Sequence, residues 1–542
     1  MKYKSFIPLT VGVSIAIGIL IGSFFNFKNK SVLFTSNKNE AKIKRLINYI
    51  HYDYVDEVDT DSLLDDAITN MLVKLDPHSV YIPKENLQEV QEQMTGKFVG
   101  IGVSFLMHQD SVTVTGIIEG GPSEKVGLKA GDRIIAANGD SLFGEHIRTK
   151  AKALATEKNA RIGNRNINEA VLKWLKGPPD TKVKVSVYRR STDEIIDYDI
   201  IRGDVPLKSV TAHYMINDKL GYIKIERFAR STYGEFIRSL TYLMAKGMES
   251  LALDLRGNPG GFMNVSDAII DEFLEDGKLI VFTKNKNGEV DKHFATSRGI
   301  FEHGKVYVLI DQNSASASEI VAGALQDNDK GTIIGRRSFG KGLVQEEMDL
   351  GDGSAVRLTT SRYYTPTGRS IQKPYDAKNK KQYNSVFAHR YRNGELTSKD
   401  SIKVVDSLKF TTPKGKTVYG GGGIVPDVFV SIDTTSTFGS HYHLYNGLNR
   451  FTFKYIDANR NEMEQWELED FVENFDKDDK ILNEYIAEQD LNIPLSPIAK
   501  EDLELYFNAI MARDLFDLTG FYMIRHKKDE VVQKVIELDN AN

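Results

Sequence analysis

The spacing of apolar residues changes along the chain and predicts segments of different kinds. After Lys2 and Lys4 comes a run of 23 residues without charge, Ser5–Phe27. As a helix this run would be about 34 Å long, which is enough to cross a bilayer. It ends without a good small-x-small cleavage site, so we favour an uncleaved signal anchor in residues 1–30 over a cleaved signal peptide.

The remaining pattern predicts a multidomain α/β protein. Apolar residues at helical spacing predict an N-terminal helical region over residues 31–97. Short alternating runs between Gly-rich turns predict a β-rich domain over 98–204, with one helix at Ile167–Leu175. Strands and helices alternate over 205–434, which predicts an α/β core with crossover connections. Residues 435–542 are charged and predict a helical C-terminal extension.

Composition narrows the class of protein. A chain of 542 residues predicts several domains, and 41% hydrophobic with 27% charged residues is typical of globular proteins. The formal charge of −5 gives no indication of a nucleic-acid partner. The chain has no cysteine, which excludes disulfides, a thiol nucleophile and a thiolate metal site. We expect no metal and no cofactor.

One Gly-rich segment is similar to a nucleotide-binding loop. Residues Gly335–Gly342 fit the pattern G-x-x-x-x-G-K, but Gly342 stands where Ser or Thr would hold Mg²⁺. We therefore disfavour an NTPase. The G-x-S-x-G and H-E-x-x-H signatures are absent, and the eleven histidines are scattered. A serine hydrolase on this chain would need a base other than histidine.

A serine–lysine pair would meet that need, because burial can lower the pKa of a lysine until the neutral amine is populated. Ser314, Ser316 and Ser318 lie between an apolar strand and a helix, where the helix N-terminus favours negative charge on an attacked carbonyl. Serines at such positions also commonly cap helices. A second Gly-rich turn, Leu253–Gly261, could donate N–H groups to an oxyanion or could be a plain tight turn. The residues alone leave these alternatives open.

Several motifs follow one another in a specific order over residues 40–430. They are Leu75–Ser79, Phe98–Gly102, Gly127–Ile135, Leu253–Gly261, Ser314–Glu319, Phe339–Gly342, Tyr363–Ile371 and Gly421–Asp427. Together they resemble the C-terminal processing peptidases, or tail-specific proteases, which are serine–lysine enzymes with a PDZ domain. The resemblance implies a PDZ-like domain over 98–204 followed by a protease core over 205–434.

The same resemblance implies which residues carry the chemistry. The nucleophile would be the middle serine, Ser316, with Ser314 and Ser318 as rivals. The base lies 25 positions later, at Lys341, and Gln345 would orient it. The reaction would be acyl transfer through an ester on the serine.

Supporting positions also follow from the resemblance. The oxyanion hole would use the backbone N–H of Ala317 and one N–H from the Gly260–Gly261 turn. Asp327 matches a position that supports the site in some members, although an acid at a helix end needs no such role. Losing one oxyanion donor typically costs about 2.7–4 kcal/mol of barrier, so this turn should matter.

The PDZ-like domain is the second predicted site. PDZ domains bind an extended C-terminal peptide at a sheet edge and hold its carboxylate in a nest of N–H groups. The implied peptide-binding residues are Gly100, Ile101, Gly102 and Val103 in the loop and first strand, with Ala170 and Val171 on the helical wall. About twenty extra residues near His146–Asn166, which include six Lys and Arg, depart from the family pattern and could reshape or shield the groove, or form a solvated charged loop.

The implied function is a serine endopeptidase that recognises protein C-terminal tails and processes or degrades exported proteins. Its partners would be protein or peptide substrates with apolar tails, and the membrane through the N-terminal helix. The catalytic part would be periplasmic or otherwise extracytoplasmic, anchored to the inner membrane. The alternatives are a catalytically silent PDZ-scaffold binding protein and a related scaffold that binds a small lipid or retinoid. An adaptor requirement and a homo-oligomer stay open.

Overall fold

A computed structural model describes most of the chain. The described residues are 38–108, 111–154, 164–375, 383, 385–434, 442–489 and 495–541. The predicted signal anchor, residues 1–30, lies outside them. Within the described ranges, no helix is both long and apolar enough to cross a membrane. The chain divides into two compact units, residues 1–72 and 73–542.

The first unit is helical where it is described. It contains α1 (Lys38–Asp53) and all but the last residue of α2 (Thr60–Val73). The apolar residues that predict α1 from their spacing include Ile43 and Leu46, and both side chains are more than half exposed. Helix α1 buries none of its residues.

The second unit begins with a short strand and a helix, β1 (Val80–Ile82) and α3 (Lys84–Thr95), and continues into a β-rich module. The module is closed by β2 (Lys97–Gly100), which pairs antiparallel with β9 (Gly203–Pro206). Its antiparallel sheet has the strand order β3-β4-β5-β7-β8, with β6 beside β5. These elements are β3 Val103–His108, β4 Ser111–Ile117, β5 Arg133–Ala137, β6 Asp140–Ser141, β7 Lys182–Arg189 and β8 Glu194–Ile201, with helices α4 Pro122–Lys125, α5 Gly144–Leu154 and α6 Asn164–Leu175.

The α/β core, residues 205–434, is built on a mostly parallel sheet of order β10-β11-β12-β15-β16-β21, in which only β10 and β11 pair antiparallel. Continuous apolar runs such as Leu251–Leu253 suit it, because a parallel sheet is covered on both faces. Its strands are β10 Val210–Met215, β11 Leu220–Ile225, β12 Ser250–Asp254, β15 Lys305–Ile310, β16 Gly331–Gly335 and β21 Val428–Phe429, and its helices are α7 Thr232–Ala245, α8 Met263–Asp271 and α9 Ala317–Asp327.

A second, antiparallel sheet stands beside the first. Its order is β1-β18-β13-β14, and β17 pairs with β18. These strands are β13 Leu279–Asn285, β14 Val290–Phe294, β17 Leu343–Asp349 and β18 Ala355–Tyr364. Strand β1 therefore joins the segment before the β-rich module to the core that follows the module, through the register Val80↔Arg357.

The chain after β18 is mainly helical. Helix α10 and the hairpin β19–β20 come first, and seven helices follow after residue 441. Their bounds are α10 Val386–Arg392, β19 Lys409–Thr411, β20 Thr417–Tyr419, α11 Tyr442–Ala458, α12 Arg460–Met463, α13 Leu468–Asn474, α14 Lys480–Glu488, α15 Pro497–Phe516, α16 Leu518–Arg525 and α17 Glu530–Asn540.

Helices cover both faces of the parallel sheet. One face packs against α7, α8 and α9, in a core that includes Phe236, Ile269 and Val321. The opposite face packs against α17 through Val531, Val532 and Val535, which meet sheet residues such as Ala252, Leu309 and Ile334. The C-terminal extension therefore supplies one layer of the α/β core.

Candidate active site

Ser316 lies at the first turn of α9, immediately after the loop that follows β15. Its backbone has φ +56° and ψ −115°, a conformation that non-glycine residues rarely adopt. Such strain costs about 1–3 kcal/mol and is concentrated at functional sites. Ser316 lines a cleft.

The neighbouring serines are occupied in other ways. Ser314 donates to the carbonyl of Leu255 (2.8 Å), and Ser318 donates to the carbonyl of Asn258 (3.0 Å). Both side chains are fully buried. Of the three candidate serines, the structure presents only Ser316 to a cleft, and the other two anchor the Gly-rich turn to the start of α9.

Lys341 lies between β16 and β17 and lines the same cleft as Ser316. Burial is the main reason that the pKa of its amine falls from 10.5 to about 8, and the positive charge of Arg357 lowers it further. The carboxylates of Glu319 and Asp76 act in the opposite direction. Within the described part of the chain, the Lys341 amine has no ion-pair or hydrogen-bond partner, as a proton acceptor near neutral pH requires.

Glu319 ties the two candidate residues together beneath the cleft. Its fully buried carboxylate accepts the backbone N–H of Ser316 (2.9 Å), of Gly340 (2.7 Å) and of Lys341 (2.8 Å). Burial raises the pKa of Glu319, while these hydrogen bonds favour its charged form. The hydroxyl of Tyr363 adds a second link, because it reaches the carbonyls of Ser316 (3.2 Å) and Lys341.

The Gly-rich turn faces the start of α9. The Gly260 N–H already donates to Asn258 Oδ1 (2.8 Å), whereas Gly261 and Ala317 line the cleft and their N–H groups have no acceptor among the described residues. Of the two glycines expected to serve an oxyanion hole, Gly261 is therefore the one with an available donor. A Cβ at Gly260 would lie 2.7 Å from the Cβ of Ser316, so Gly260 provides the close approach instead.

The cleft has a volume of about 700 Å³, and apolar side chains form part of its wall. This apolar part is lined by Met94, Phe262, Met263, Ile320, Leu343 and Val344. Arg357 and Glu347 form an ion pair (3.0 Å) in the same cleft. Gln345 lines it as well, but its side chain donates to the carbonyl of Leu343 (3.3 Å) and to Thr359 (3.4 Å) rather than to Lys341.

Asp327 lies apart from this cluster. It ends α9, about 15 Å along the helix from Ser316. Its buried carboxylate forms an ion pair with the fully buried Arg369 (2.6 Å) and accepts the hydroxyl of Thr367 (2.6 Å). These contacts are structural: they fix the far end of the helix that carries Ser316.

In the β-rich module, β3 is an edge strand of the described sheet. The N–H groups of Ile101 and Gly102, just before it, find no acceptor among the residues described, and Gly102 has φ +80°. This arrangement suits a peptide carboxylate, as expected for the stretch Gly100–Val103.

The expected helical wall of the peptide groove needs a correction. Ala170 and Val171 are fully buried in the core of the module, together with Ile167 and Leu175. They form the inward stripe of α6, so a peptide cannot contact them. Residues 155–163 of the basic segment near His146–Asn166 lie outside the described residues, whereas its two ends belong to α5 and α6.

Two residues of the site were given no role by the sequence analysis. Glu319 stands three positions after Ser316, and this Ser-x-x-Glu spacing is typical of a capping box, a signal that could have identified it. Tyr363 begins the motif Tyr363–Ile371, but that motif did not indicate a contact with Ser316, because Tyr363 reaches the site from β18, about fifty residues later in the chain.

Four segments of the chain match known families. Residues 219–377 match peptidase family S41, residues 99–164 match the PDZ domain, and residues 26–86 match the N-terminal domain of the activating protease CtpB. Residues 443–517 match a family of unknown function.

Individual relatives cover most of the chain. A carboxy-terminal-processing protease of Bartonella bacilliformis is 32% identical over 348 residues, which are 62% of this chain and 75% of the relative. A probable CtpA-like serine protease of Staphylococcus aureus is 31% identical over 378 residues, 68% of this chain and 71% of the relative. Among solved structures, the photosystem II D1 C-terminal processing protease is 24% identical, with 74% of this chain and 90% of the other covered and a TM-score of 0.36.

Proposed function

This chain belongs to peptidase family S41 as a carboxy-terminal processing serine protease with a PDZ domain, and on that premise we propose that Ser316 and Lys341 are its catalytic pair. One observation carries the proposal: Ser316 and Lys341 line one cleft, while Ser314 and Ser318 are bonded elsewhere. The lowered pKa of Lys341, to about 8, further supports its role as the base.

The proposed reaction has two halves. The neutral amine of Lys341 takes the proton of the Ser316 hydroxyl as the oxygen attacks the scissile carbonyl carbon. The tetrahedral intermediate then collapses, the C–N bond breaks, and the Lys341 ammonium gives its proton to the leaving amine. Lys341 next takes a proton from a water molecule, which attacks the ester carbon on Ser316. The C–O bond to Ser316 then breaks, the second product leaves, and the Lys341 ammonium returns its proton to the Ser316 oxygen.

Backbone donors would stabilise the oxyanion of the tetrahedral intermediates. Ala317 and Gly261 are the proposed donors, since both line the cleft and their N–H groups have no acceptor within the described ranges. Gln345 is proposed to orient the Lys341 amine once substrate is bound, which requires its side chain to leave its two long hydrogen bonds. The apolar part of the cleft wall favours an apolar side chain next to the scissile bond.

The test is proteolysis by the full chain, purified in mild detergent, on an unfolded reporter with an apolar C-terminal tail. We would compare the wild type with Ser316→Ala and with Lys341→Arg, which keeps the positive charge but cannot release its proton. We expect cleavage by the wild type alone. A fluorophosphonate probe should label the wild type, and peptide mapping should place the label on Ser316.

Two results would contradict the proposal. A label on Ser314 or Ser318 would assign a different nucleophile, and unchanged cleavage by Lys341→Arg would remove the lysine from the role of base. A wild type that binds the reporter but neither cleaves it nor reacts with the probe would favour the silent PDZ scaffold.

We also propose that the module over residues 98–204 holds the substrate tail at the edge of β3, with its carboxylate on the N–H groups of Ile101 and Gly102. Their N–H groups lack acceptors within the described part of the module, which supports a nest of this kind. Amidation of the reporter's C-terminus should weaken its binding to the full chain. Equal affinity of the amidated and free tails would contradict the carboxylate nest.

We propose that residues 1–30 anchor the enzyme to a membrane and that the catalytic core, 205–434, works outside the cytoplasm. The support is the charge-free run Ser5–Phe27 after a basic start. Alkaline extraction of membranes should leave the full chain in the pellet, and its release into the supernatant would contradict the anchor.

A further inference from the structure

Near the end of the described chain, the carboxylate of Asp529 contacts the catalytic core through Arg256. Asp529 caps α17, because its carboxylate accepts the N–H groups of Val531 (3.0 Å) and Val532 (3.2 Å). The valines that follow cover the face of the catalytic sheet opposite to the helices α7, α8 and α9. The position of Asp529 is therefore fixed by packing as well as by the cap.

The same carboxylate has a second partner. Arg256 Nη1 donates to both oxygens of Asp529, at 3.0 and 2.8 Å. The other donor edge of the Arg256 guanidinium binds Asp254: Nε donates to Asp254 Oδ2 at 2.9 Å, and Nη2 donates to the same oxygen at 2.6 Å. A planar guanidinium held by two carboxylates has little freedom to rotate. Although burial pushes the pKa of Asp529 upward, Arg256 holds it below its ordinary value.

Arg256 belongs to the Gly-rich turn that contains Gly261. The turn is anchored at nearly every residue: Lys224 donates to the Arg256 carbonyl, the Gly257 N–H donates to Asp311 (3.0 Å), and the Asn258 side chain donates to the carbonyl of Ile225 (3.0 Å). All of these partners come from the catalytic core. Among the side chains described around this turn, Asp529 is the anchor supplied by the C-terminal extension.

We propose that Asp529 is a positioning residue for catalysis: by holding Arg256 it fixes the turn that presents the Gly261 N–H to the substrate carbonyl. The proposal rests on the proposed active site. Without the negative charge, Arg256 keeps Asp254 but loses its constraint on the other side, and the turn gains freedom. Because the oxyanion donor acts on the transition state, the loss falls on kcat rather than on KM.

The test uses the full chain with Asp529→Asn. Asparagine caps helices about as well as aspartate and has nearly the same shape, so α17 should still begin normally. The matched control is Glu530→Gln, which removes one negative charge from the adjacent exposed residue. We would measure kcat and KM on the reporter, the rate of Ser316 labelling by the fluorophosphonate, and the melting temperature.

We expect Asp529→Asn to lower kcat about tenfold, less than the loss of a whole oxyanion donor, and to slow labelling in parallel. KM should stay within about twofold, the melting temperature within a few degrees, and Glu530→Gln should behave as the wild type. Unchanged kcat in Asp529→Asn would overturn the inference, as would a loss of kcat that only accompanies a loss of folded protein. A wild type labelled away from Ser316 would instead refute the proposed active site, and the inference with it.

Discussion

The titration of Lys341 should control the pH dependence of proteolysis. Burial and the charge of Arg357 lower the pKa of its amine from 10.5 to about 8. At pH 7 a lysine with a pKa of about 8 is neutral in about a tenth of the molecules, against about 0.03% at 10.5. The site therefore makes the base roughly 300-fold more available at pH 7 than an exposed lysine would be.

Whether kcat/KM rises or falls with pH depends on which protonation state of Lys341 is active. The neutral amine is the base, so kcat/KM should rise about tenfold per pH unit below the pKa and level off above about pH 8. We would measure kcat/KM of the full chain on the reporter between pH 6 and 9.5. A value that does not change between pH 6 and 8 would refute Lys341 as the titrating base.

A charge-removal variant tests the physical origin of the shift. Arg357→Gln removes a neighbouring cation, which favours the protonated amine, so the midpoint of the profile should move to higher pH. The matched control is Arg362→Gln on the same strand, where an exposed charge is screened by solvent. Lys373, whose pKa burial lowers to about 7, is influenced by Arg390 and Glu319 instead. If Arg357→Gln leaves the midpoint of the pH profile unchanged, the titrating base is therefore not Lys341.

Two further predictions concern the scaffold of the site. Gly260→Ala should abolish cleavage while leaving most of the fold intact, because the new Cβ would lie 2.7 Å from the Cβ of Ser316. Proteolysis of the reporter at the wild-type rate would contradict this close approach. Asp327→Asn should lower stability by about 3–5 kcal/mol, because it leaves the buried charge of Arg369 without its ion pair. Denaturant unfolding measures that loss, with Asp276→Asn at an exposed position as the control, and equal midpoints for both variants would show that the buried pair contributes nothing.

The sequence predicts that Ser316 and Lys341 lie together better than it predicts their surroundings. The motifs around Ser316 and Lys341 are local, and the loops that carry them follow two neighbouring parallel strands, so their meeting at one sheet edge is a consequence of topology. Tyr363 reaches the same point from a separate sheet, and no local pattern encodes such a contact.

Helical periodicity also has a limit that Ala170 and Val171 illustrate. It predicts that α6 has an apolar stripe, but it cannot decide whether that stripe faces a core or a ligand groove. The C-terminal extension shows the same limit on a larger scale. The apolar residues of α17 predict a helix, whereas much of their partner surface on the catalytic sheet, such as Leu309 and Ile334, lies more than 190 residues earlier in the chain.

That separation has a consequence for biosynthesis. The catalytic sheet acquires its second cover only when residues 530–540 are available, 189 residues after Lys341 has been made. At about 5–20 residues per second this is a delay of roughly 10–40 s. During that interval α17 cannot cover this face of the sheet, and Arg256 has no Asp529 to bind. Ser316 and Lys341 are therefore synthesised well before α17, the helix that covers the second face of the sheet.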